Sequence, residues 1–307
     1  MKTVFIDGSA GTTGLRIRER LACRRDIRLM SLSEELRKDT AARRDALNAA
    51  DIVFLCLPDD AAREAVSLVE NPETVIIDTS TAHRVEKGWT YGFPELGSLR
   101  EQIAGSKRIA NPGCHASGFI ALVAPLVSAG LIRPEAALTC CSLTGYSGGG
   151  KKMIAQYEEP SRDALLDAPR QYGLSQNHKH LKEMTWVSGL KTPPIFCPIV
   201  APYYAGMEVT VPLFAGDLAG SLPDAAAVYE KAYQKGLVRF TPAMDEGGFL
   251  SAGAMAGKDD MRITICGNEE RILLISRFDN LGKGASGAAI QNMNLVLGVD
   301  ETSGLNV

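Results

Sequence analysis

Met-Lys-Thr-Val-Phe-Ile-Asp7-Gly8-Ser9-Ala10-Gly11-Thr12-Thr13-Gly14, the first fourteen residues, decides the fold. Residues 2–6 are a β-rich run that stops at Asp7-Gly8. Residues 12–22 carry Leu15, Ile17 and Leu21 among arginines, a helical spacing. Glycines therefore occupy the turn between a first strand and a first helix, spaced GxxGxxG. They permit a tight turn and close approach of backbone to a pyrophosphate, while the helix N-terminus supplies amide donors and a partial positive charge. An ordinary strand-to-helix turn is the alternative, since a glycine motif alone is weak; its place directly after the first strand favours the nucleotide. Gly8, Ser9, Ala10, Gly11, Thr12, Thr13 and Gly14 are the candidate dinucleotide-binding residues.

The pattern continues outward from there. Residues 27–32 read as a second strand and 41–50 as a helix. The apolar run 51–57, stopped by Pro58, reads as a strand buried on both faces; 61–69 is helical and 74–78 is another buried strand. Strands alternating with helices imply a doubly wound parallel sheet. After about residue 136 the texture changes. Segments 137–143, 208–214, 261–265 and 271–278 read as strands, the last two joined by a hairpin-like turn at 266–270, with a helix near 223–235. The expected fold class is α/β: a dinucleotide-binding domain on a doubly wound parallel sheet, plus an α+β, mostly antiparallel catalytic domain.

Composition narrows the function. The chain has 307 residues, enough for two domains, and 33 Lys plus Arg against 36 Asp plus Glu give a formal charge of -3. No basic block stands out, so nucleic acid is not an expected partner. No apolar stretch has the length of a membrane span, and the N-terminal run is too short for a signal peptide. The seven cysteines form no CxxC pair and no metal-ligand rhythm, so no metal is expected and reduced thiols in the cytoplasm are the simplest reading.

The second strand ends in Met30-Ser31-Leu32-Ser33 with Arg37 nearby. Two hydroxyls and an arginine suit a 2′-phosphate, which favours NADP(H); Glu34 remains available as the acid that NAD sites use. Asn111-Pro112-Gly113-Cys114-His115-Ala116-Ser117-Gly118 is the most informative segment for chemistry. Cys114 follows a Pro-Gly turn and precedes the apolar stretch 119–126, which places its thiol at a helix N-terminus. There the dipole stabilises the thiolate, the form that attacks a carbonyl carbon. Asn177-His178-Lys179-His180 holds two of the four histidines. If extended, it points both to one face, within reach of proton exchange with a thiolate; a solvated loop is the alternative. Gly145-Tyr146-Ser147-Gly148-Gly149-Gly150-Lys151-Lys152 suits an anion nest or a flexible connector. Arg84, after the buried strand ending Asp78-Thr79-Ser80, is a further anion ligand or a surface charge.

Together these segments resemble the N-acetyl-gamma-glutamyl-phosphate reductase family. The matching pieces run in family order through nearly the whole chain: Gly8 to Gly14, Asp78 to Arg84, Tyr91-Gly-Phe-Pro-Glu95, Asn111 to Cys114, Ser147 to Gly150, His178 to His180 and Asp279-Asn-Leu-Gly-Lys-Gly-Ala-Ser-Gly287. Asn-Pro-Gly-Cys and Asn-Leu-Gly-Lys-Gly-Ala are the specific ones. Length and Cys-His-Ala-Ser-Gly resemble the shorter of the family's two types; the longer usually carries Tyr-Pro-Thr after the cysteine. The resemblance implies a fold like that of glyceraldehyde-3-phosphate dehydrogenase, in which the last helix returns to the cofactor domain. Residues 1–114 with 284–307 would then bind NADP and 115–283 would hold catalysis and oligomerisation.

The reaction it implies runs from N-acetyl-gamma-glutamyl phosphate to the semialdehyde, with NADPH as reductant, phosphate as leaving group and Cys114 as thioester carrier. His180 is favoured as acid/base, with His178 as a substrate or orienting contact and Glu183 as a candidate for orienting the pair. Leu57, Pro58, Ser80 and Asn280 join the implied cofactor set; Arg84, Asn111, Ser147, Gly148, Gly149 and Lys151 join His178 and Glu183 around the substrate. A homodimer or homotetramer is also implied. Another acyl-phosphate reductase, such as aspartate-semialdehyde dehydrogenase, is the nearest rival.

Overall fold

The computed structural model describes residues 1–307, which divide into two compact units. The first comprises Met1–Pro94, Ser98–Pro112 and Ala285–Asn306; the second is built from Glu95–Gly97 and Gly113–Gly284. Cys114 thus falls in the second unit.

In the first unit the strands are β1 (Lys2–Asp7), β2 (Ile27–Met30), β3 (Ile52–Leu55), β4 (Val75–Asp78), β5 (Thr90–Tyr91) and β6 (Arg108–Ala110). Helices α1 (Thr12–Leu21), α2 (Thr40–Ala49), α3 (Asp59–Ser67) and α4 (Leu99–Gly105) connect them. The second unit carries α5 (Cys114–Ser128), α6 (Gly150–Glu158), α7 (Leu181–Ser188) and α8 (Leu222–Ala232), with β7 (Thr139–Gly145), β8 (Arg170–Gln171), β9 (Ile195–Ala201), β10 (Met207–Phe214), β11 (Val238–Phe240), β12 (Met261–Gly267) and β13 (Arg271–Phe278). The chain then returns to the first unit as α9 (Gly287–Leu297).

Pleating explains the first unit. Its six strands lie in the order β2-β1-β3-β4-β6-β5, all parallel. Successive side chains of a strand leave on opposite faces, so a strand buried on both sides feeds two cores. Val4, Ile6, Ile52, Phe54 and Ile77 pack with Ile17 and Leu21 of α1, Ile103 of α4 and Ile290 and Met293 of α9. Phe5, Val53, Leu55 and Ile76 pack the other way, with Leu47 of α2 and Ala62 and Ala65 of α3. The last helix belongs to the first core because its apolar side is continuous with theirs. The strand order reverses between β1 and β3, the place where such sheets open a crevice at their carboxyl ends.

The second sheet runs β11-β12-β13-β10-β7-β9-β8, with antiparallel pairing except β11 beside β12 and β7 beside β9. One face, including Cys140, Ser142, Val209, Val211 and Leu274, is buried. The alternate residues face the other way, where Ile195 is 60% and Phe214 70% exposed. Helix α5 packs on β10 and β13 and is buried almost all round, from His115 to Leu126. Pro125 interrupts its ladder, because it has no N–H to offer the carbonyl of Ala121 one turn earlier. Tyr233, the C-cap of α8, supplies the missing donor: its hydroxyl donates to Ala121 O at 2.6 Å, and Tyr229 within the helix donates to Leu122 O at 2.5 Å.

Candidate active site

The glycine turn sits at the crevice of the first sheet. Gly8 has φ +87°, and a Cβ there would lie 2.3 Å from Cys56 O, so only glycine lets the first and third strand ends approach. Gly11 N–H donates to Gly8 O at 3.0 Å, closing the turn ahead of α1. A cleft of about 470 Å³ opens here, lined by Gly8, Ser9, Ala10 and Gly11 and by Leu57 across from them. Arg37, Lys38 and Arg43 bring positive charge to its wall. Thr12, Thr13 and Gly14 are in the first turn of α1, and Pro58 is the residue before α3.

Arg37 is exposed and pairs with Glu34 at 3.1 Å. Ser31 and Ser33 stand exposed just beyond β2 and do not line the cleft; Lys38 and Arg43, which the sequence reading passed over, do. Arg43 is buried against Asp7, with Nη2 to Oδ2 at 2.9 Å and Nε to the same oxygen at 3.1 Å. Burial raises the Asp7 carboxyl above its usual range, and the arginine only partly opposes this. Backbone amides, a turn with glycines at 8, 11 and 14, and the cations Arg37, Lys38 and Arg43 make a set that fits a dinucleotide with an extra phosphate.

At the end of β4, Ser80 donates its hydroxyl to Asp78 Oδ2 (2.7 Å), which also meets His83 Nδ1 at 2.6 Å. Arg84 is buried rather than a surface charge. Its Nε donates to Asn111 O at 2.9 Å and its Nη2 to Thr79 O at 3.1 Å. Asn111 in turn donates from Nδ2 to Ala285 O at 3.0 Å.

Two residues on, Cys114 is the first residue of α5, with Gly113 as N-cap in an extended conformation. The thiol is partly exposed. A Cβ added to Gly284 would come 2.9 Å from Cys114 Cβ, so the π-helical turn Gly282–Ser286 presses its backbone directly on the cysteine. The neighbouring His115 is buried between Ser142 Oγ (2.7 Å from Nδ1) and Tyr172 Oη (2.7 Å from Nε2). Burial, then the nearby His178, hold its imidazole neutral by lowering its pKa to about 3. Burial and the charge of Cys114 push the Tyr172 phenol up, which puts that hydroxyl in the electrostatic range of the thiolate.

His178 and His180 do converge on this place, though not along an extended strand. His180 has a helical backbone and is the N-cap of α7. The turn stacks the two rings edge to face at 4.7 Å, and both lie against His115, at 5.9 Å and 5.6 Å. The His180 N–H donates to His178 Nδ1 at 3.2 Å, so that nitrogen carries a lone pair and the proton of neutral His178 is on Nε2. Glu183 is buried one turn into α7. It accepts the Gly113 N–H at 3.2 Å through Oε2 and faces His180 Nε2 at 3.9 Å through Oε1. One carboxylate thereby touches both the turn before the cysteine and the histidine.

The glycine-rich loop is ordered rather than a connector. Tyr146–Gly149 is a 3₁₀ turn leading into α6. Ser147 is buried and accepts from Asn280 Nδ2 at 2.9 Å, while Asn280 Oδ1 accepts the Gly206 N–H at 2.9 Å. Gly148 and Gly149 are exposed, as is Lys151 in the first turn of α6.

Fold and site define a class, and comparisons with known proteins agree with it. Residues 8–106 match the semialdehyde dehydrogenase NAD binding domain, and residues 114–280 the semialdehyde dehydrogenase dimerisation domain. Solved structures of similar fold include aspartate semialdehyde dehydrogenase II from Vibrio cholerae (TM-score 0.71, 15% identity, 97% of this chain and 98% of that one). Another is aspartate semialdehyde dehydrogenase from Francisella tularensis (TM-score 0.70, 17% identity, 97% and 100%). Much nearer in sequence are N-acetyl-gamma-glutamyl-phosphate reductases. One from Chelativorans sp. is 47% identical over 96% of this chain and 97% of its own, and one from Brucella ovis is 47% identical over 96% and 98%. N-acetyl-gamma-glutamyl-phosphate reductase 2 from Nostoc sp. is 44% identical over 98% of both. The chain belongs to the N-acetyl-gamma-glutamyl-phosphate reductase family within the semialdehyde dehydrogenases.

Proposed function

We propose that this chain reduces N-acetyl-gamma-glutamyl phosphate to N-acetylglutamate 5-semialdehyde with release of phosphate, through a thioester on Cys114, as a step of arginine biosynthesis. The observation that carries this reading is a partly exposed cysteine on the first turn of a buried helix, flanked in the chain by Gly113, whose N–H meets the buried Glu183, and by His115, whose ring meets His178 and His180.

The Cys114 thiolate forms at a helix N-terminus, where amide dipoles favour it. It attacks the acyl carbon; a C–S bond forms, the bond from that carbon to the bridging phosphate oxygen breaks, and phosphate departs with that electron pair. Amides of Gly148 and Gly149, the start of α6 and Lys151 receive the phosphate charge. Ser147 and Asn280 hold that loop in place, while Arg84 and Asn111 brace the turn from which Cys114 emerges. NADPH, when bound, supplies the hydride that reduces the thioester. His180, its imidazolium favoured by Glu183, donates a proton to the oxygen as negative charge forms on it, and takes it back as the C–S bond breaks and the thiolate returns. His178 is held as the Nε2–H tautomer and suits a neutral contact to the substrate. The glycine turn from Gly8 to Gly14 with Leu57, Pro58 and Ser80 holds the cofactor. Arg37 and Lys38 on the cleft wall discriminate for its 2′-phosphate.

The face of the second sheet on which Ile195 and Phe214 stand exposed suits a homodimer or homotetramer, and we assign the enzyme to the cytoplasm. The test is phosphate-dependent reduction of NADP with N-acetylglutamate semialdehyde beside aspartate semialdehyde. The acetylated substrate should win by orders of magnitude in kcat/KM; preference for aspartate semialdehyde would overturn the assignment.

A further inference from the structure

The segment that presents the two histidines begins as a strand and ends as something else. β8 pairs antiparallel with β9, Arg170 opposite Val200 and Gln171 opposite Ile199. Tyr172 N–H continues the ladder by donating to Pro198 O at 3.0 Å. The chain then turns away at Gly173, whose carbonyl accepts the Gln176 N–H at 2.9 Å. The next rung, Phe196, has lost its backbone partner. A side chain replaces it: Gln176 Nε2 donates to Phe196 O at 2.8 Å, and Gln176 Oε1 accepts the Phe196 N–H at 2.9 Å. A carboxamide has the donor and acceptor of a peptide group, so it completes a sheet rung as backbone would. The fit is bought with an unusual backbone, since Gln176 is the only non-glycine residue with positive φ, at 57°. A residue without glycine's freedom is held there by what surrounds it.

This rung ties two parts of the site together. The Phe196 ring meets His115 edge to face at 5.3 Å and His178 at 5.0 Å. His178 and His180 follow Gln176 by two and four residues, with only Asn177 and Lys179 between. We propose that Gln176 is a positioning residue for the acid/base, its amide clamping the histidine loop to Phe196 and so setting the rings of His178 and His180 against His115, the residue after Cys114. The inference rests on the proton-transfer reading of His180 given above.

Three variants test it: Gln176→Ala, Gln176→Asn and Gln176→Glu, each measured for kcat, KM and melting temperature. Alanine removes the clamp. Asparagine keeps tolerance for positive φ but is one methylene too short to span the gap. Both should lose about tenfold in kcat, in line with the cost of small misplacements in a reacting array. KM for NADP should stay within twofold and melting within a few degrees. Glutamate is the sharper probe. As a carboxylate it accepts from Phe196 N–H but confronts Phe196 O with a second acceptor; as a carboxylic acid it supplies both bonds. An ordinary glutamate titrates near pH ~4.3 and one facing a carbonyl titrates higher. The kcat of Gln176→Glu divided by that of the unsubstituted enzyme should therefore rise severalfold between pH 8 and pH 5. A ratio independent of pH, or unchanged kcat in the alanine variant, overturns the proposal. His180→Ala separates the two readings: if it keeps full turnover while the Gln176 variants lose theirs, the proton role of His180 is wrong and the positioning argument falls with it. If His180→Ala is impaired and the Gln176 variants are not, only the clamp is refuted.

Discussion

Replacing Tyr233 by phenylalanine removes one oxygen from the molecule, and the structure says what that oxygen does. Proline at position 125 leaves the Ala121 carbonyl without its helical donor, and the Tyr233 hydroxyl fills the gap at 2.6 Å. Tyr229 makes a bond of similar length, but its acceptor, Leu122 O, stands four residues before Leu126, whose N–H the helix pairs with it. The two substitutions delete the same group and keep the same ring, yet only Tyr233→Phe orphans a buried carbonyl. An unsatisfied buried acceptor costs about 1–3 kcal/mol, whereas loss of a redundant bond costs nearer ~1 kcal/mol. At roughly 2–4 °C per kcal/mol for a domain of this size, the melting temperatures of the two variants should differ by several degrees. Pro125→Ala restores an N–H beneath Ala121 O, so combined with Tyr233→Phe it should recover most of the loss, minus about 0.4–1 kcal/mol for the freer unfolded chain. Urea melts of the four proteins, read as a double-mutant cycle, give the coupling directly. Equal destabilisation by both tyrosine substitutions, or a double variant no better than Tyr233→Phe, would show that the hydroxyl does not stand in for the proline's missing donor.

Other expectations follow from the site. Cys114→Ser should cut turnover by orders of magnitude while NADP binding persists, and alkylation should strike Cys114 first with protection by substrate; normal turnover, or the acyl adduct on another cysteine, refutes the thioester. His115 is neutral in the fold with a pKa lowered to about 3, against about 6.5 when unfolded, so the unfolded chain binds the extra proton between those values and stability falls as pH drops below 6.5. That amounts to about 2 kcal/mol by pH 5 for this residue, and His115→Gln should flatten that part of the pH–stability curve; an unaltered slope counts against it. Lys38→Ala should weaken NADP more than NAD, since it removes a cation from the cleft wall but no backbone donor; equal loss for both cofactors would move the 2′-phosphate elsewhere. Glu183→Gln keeps the acceptor for Gly113 N–H but removes the charge facing His180, so kcat should fall by about tenfold or more with little change in melting, and unchanged kcat would dismiss the glutamate from proton transfer.

Much of this was legible in the order of residues. The glycine turn, the parallel strands that follow and the Pro-Gly-Cys entry to a helix are local signals, written in turn chemistry and apolar runs; β1 to β4 form where they say, whereas the short β5 and β6 gave no such signal. The strand at Ile195–Ala201 escaped because Pro198 sits in its middle, and a proline argues against a strand that gains neighbours on both sides. Its pairing with β7 is set by the tertiary fold, not by its own composition. His115 was in plain view beside the cysteine. Its signal, a polar residue near the start of a mostly apolar helix, gave no hint of Ser142 in β7 and Tyr172 just after β8. The cations of the cleft show the same limit: Ser31 and Ser33 follow the second strand in sequence, but Lys38 and Arg43 are the ones the chain turns inward.

Burial all round gives α5 a consequence beyond its stability. A helix wrapped by neighbours on every side cannot slide or rotate without tearing its packing, so Cys114, the nucleophile we propose, is bolted to the frame at its tip. His180, the proton donor we propose, has a different mount, a short loop that ends where α7 starts. On that proposal, substitutions in the loop should alter proton transfer while the Cys114 sulfur stays where it is. A search for selectivity toward a longer or unacetylated acyl phosphate should therefore vary the exposed residues Leu174, Ser175 and Asn177 and leave the helix, Tyr172, Gln176 and the histidines alone.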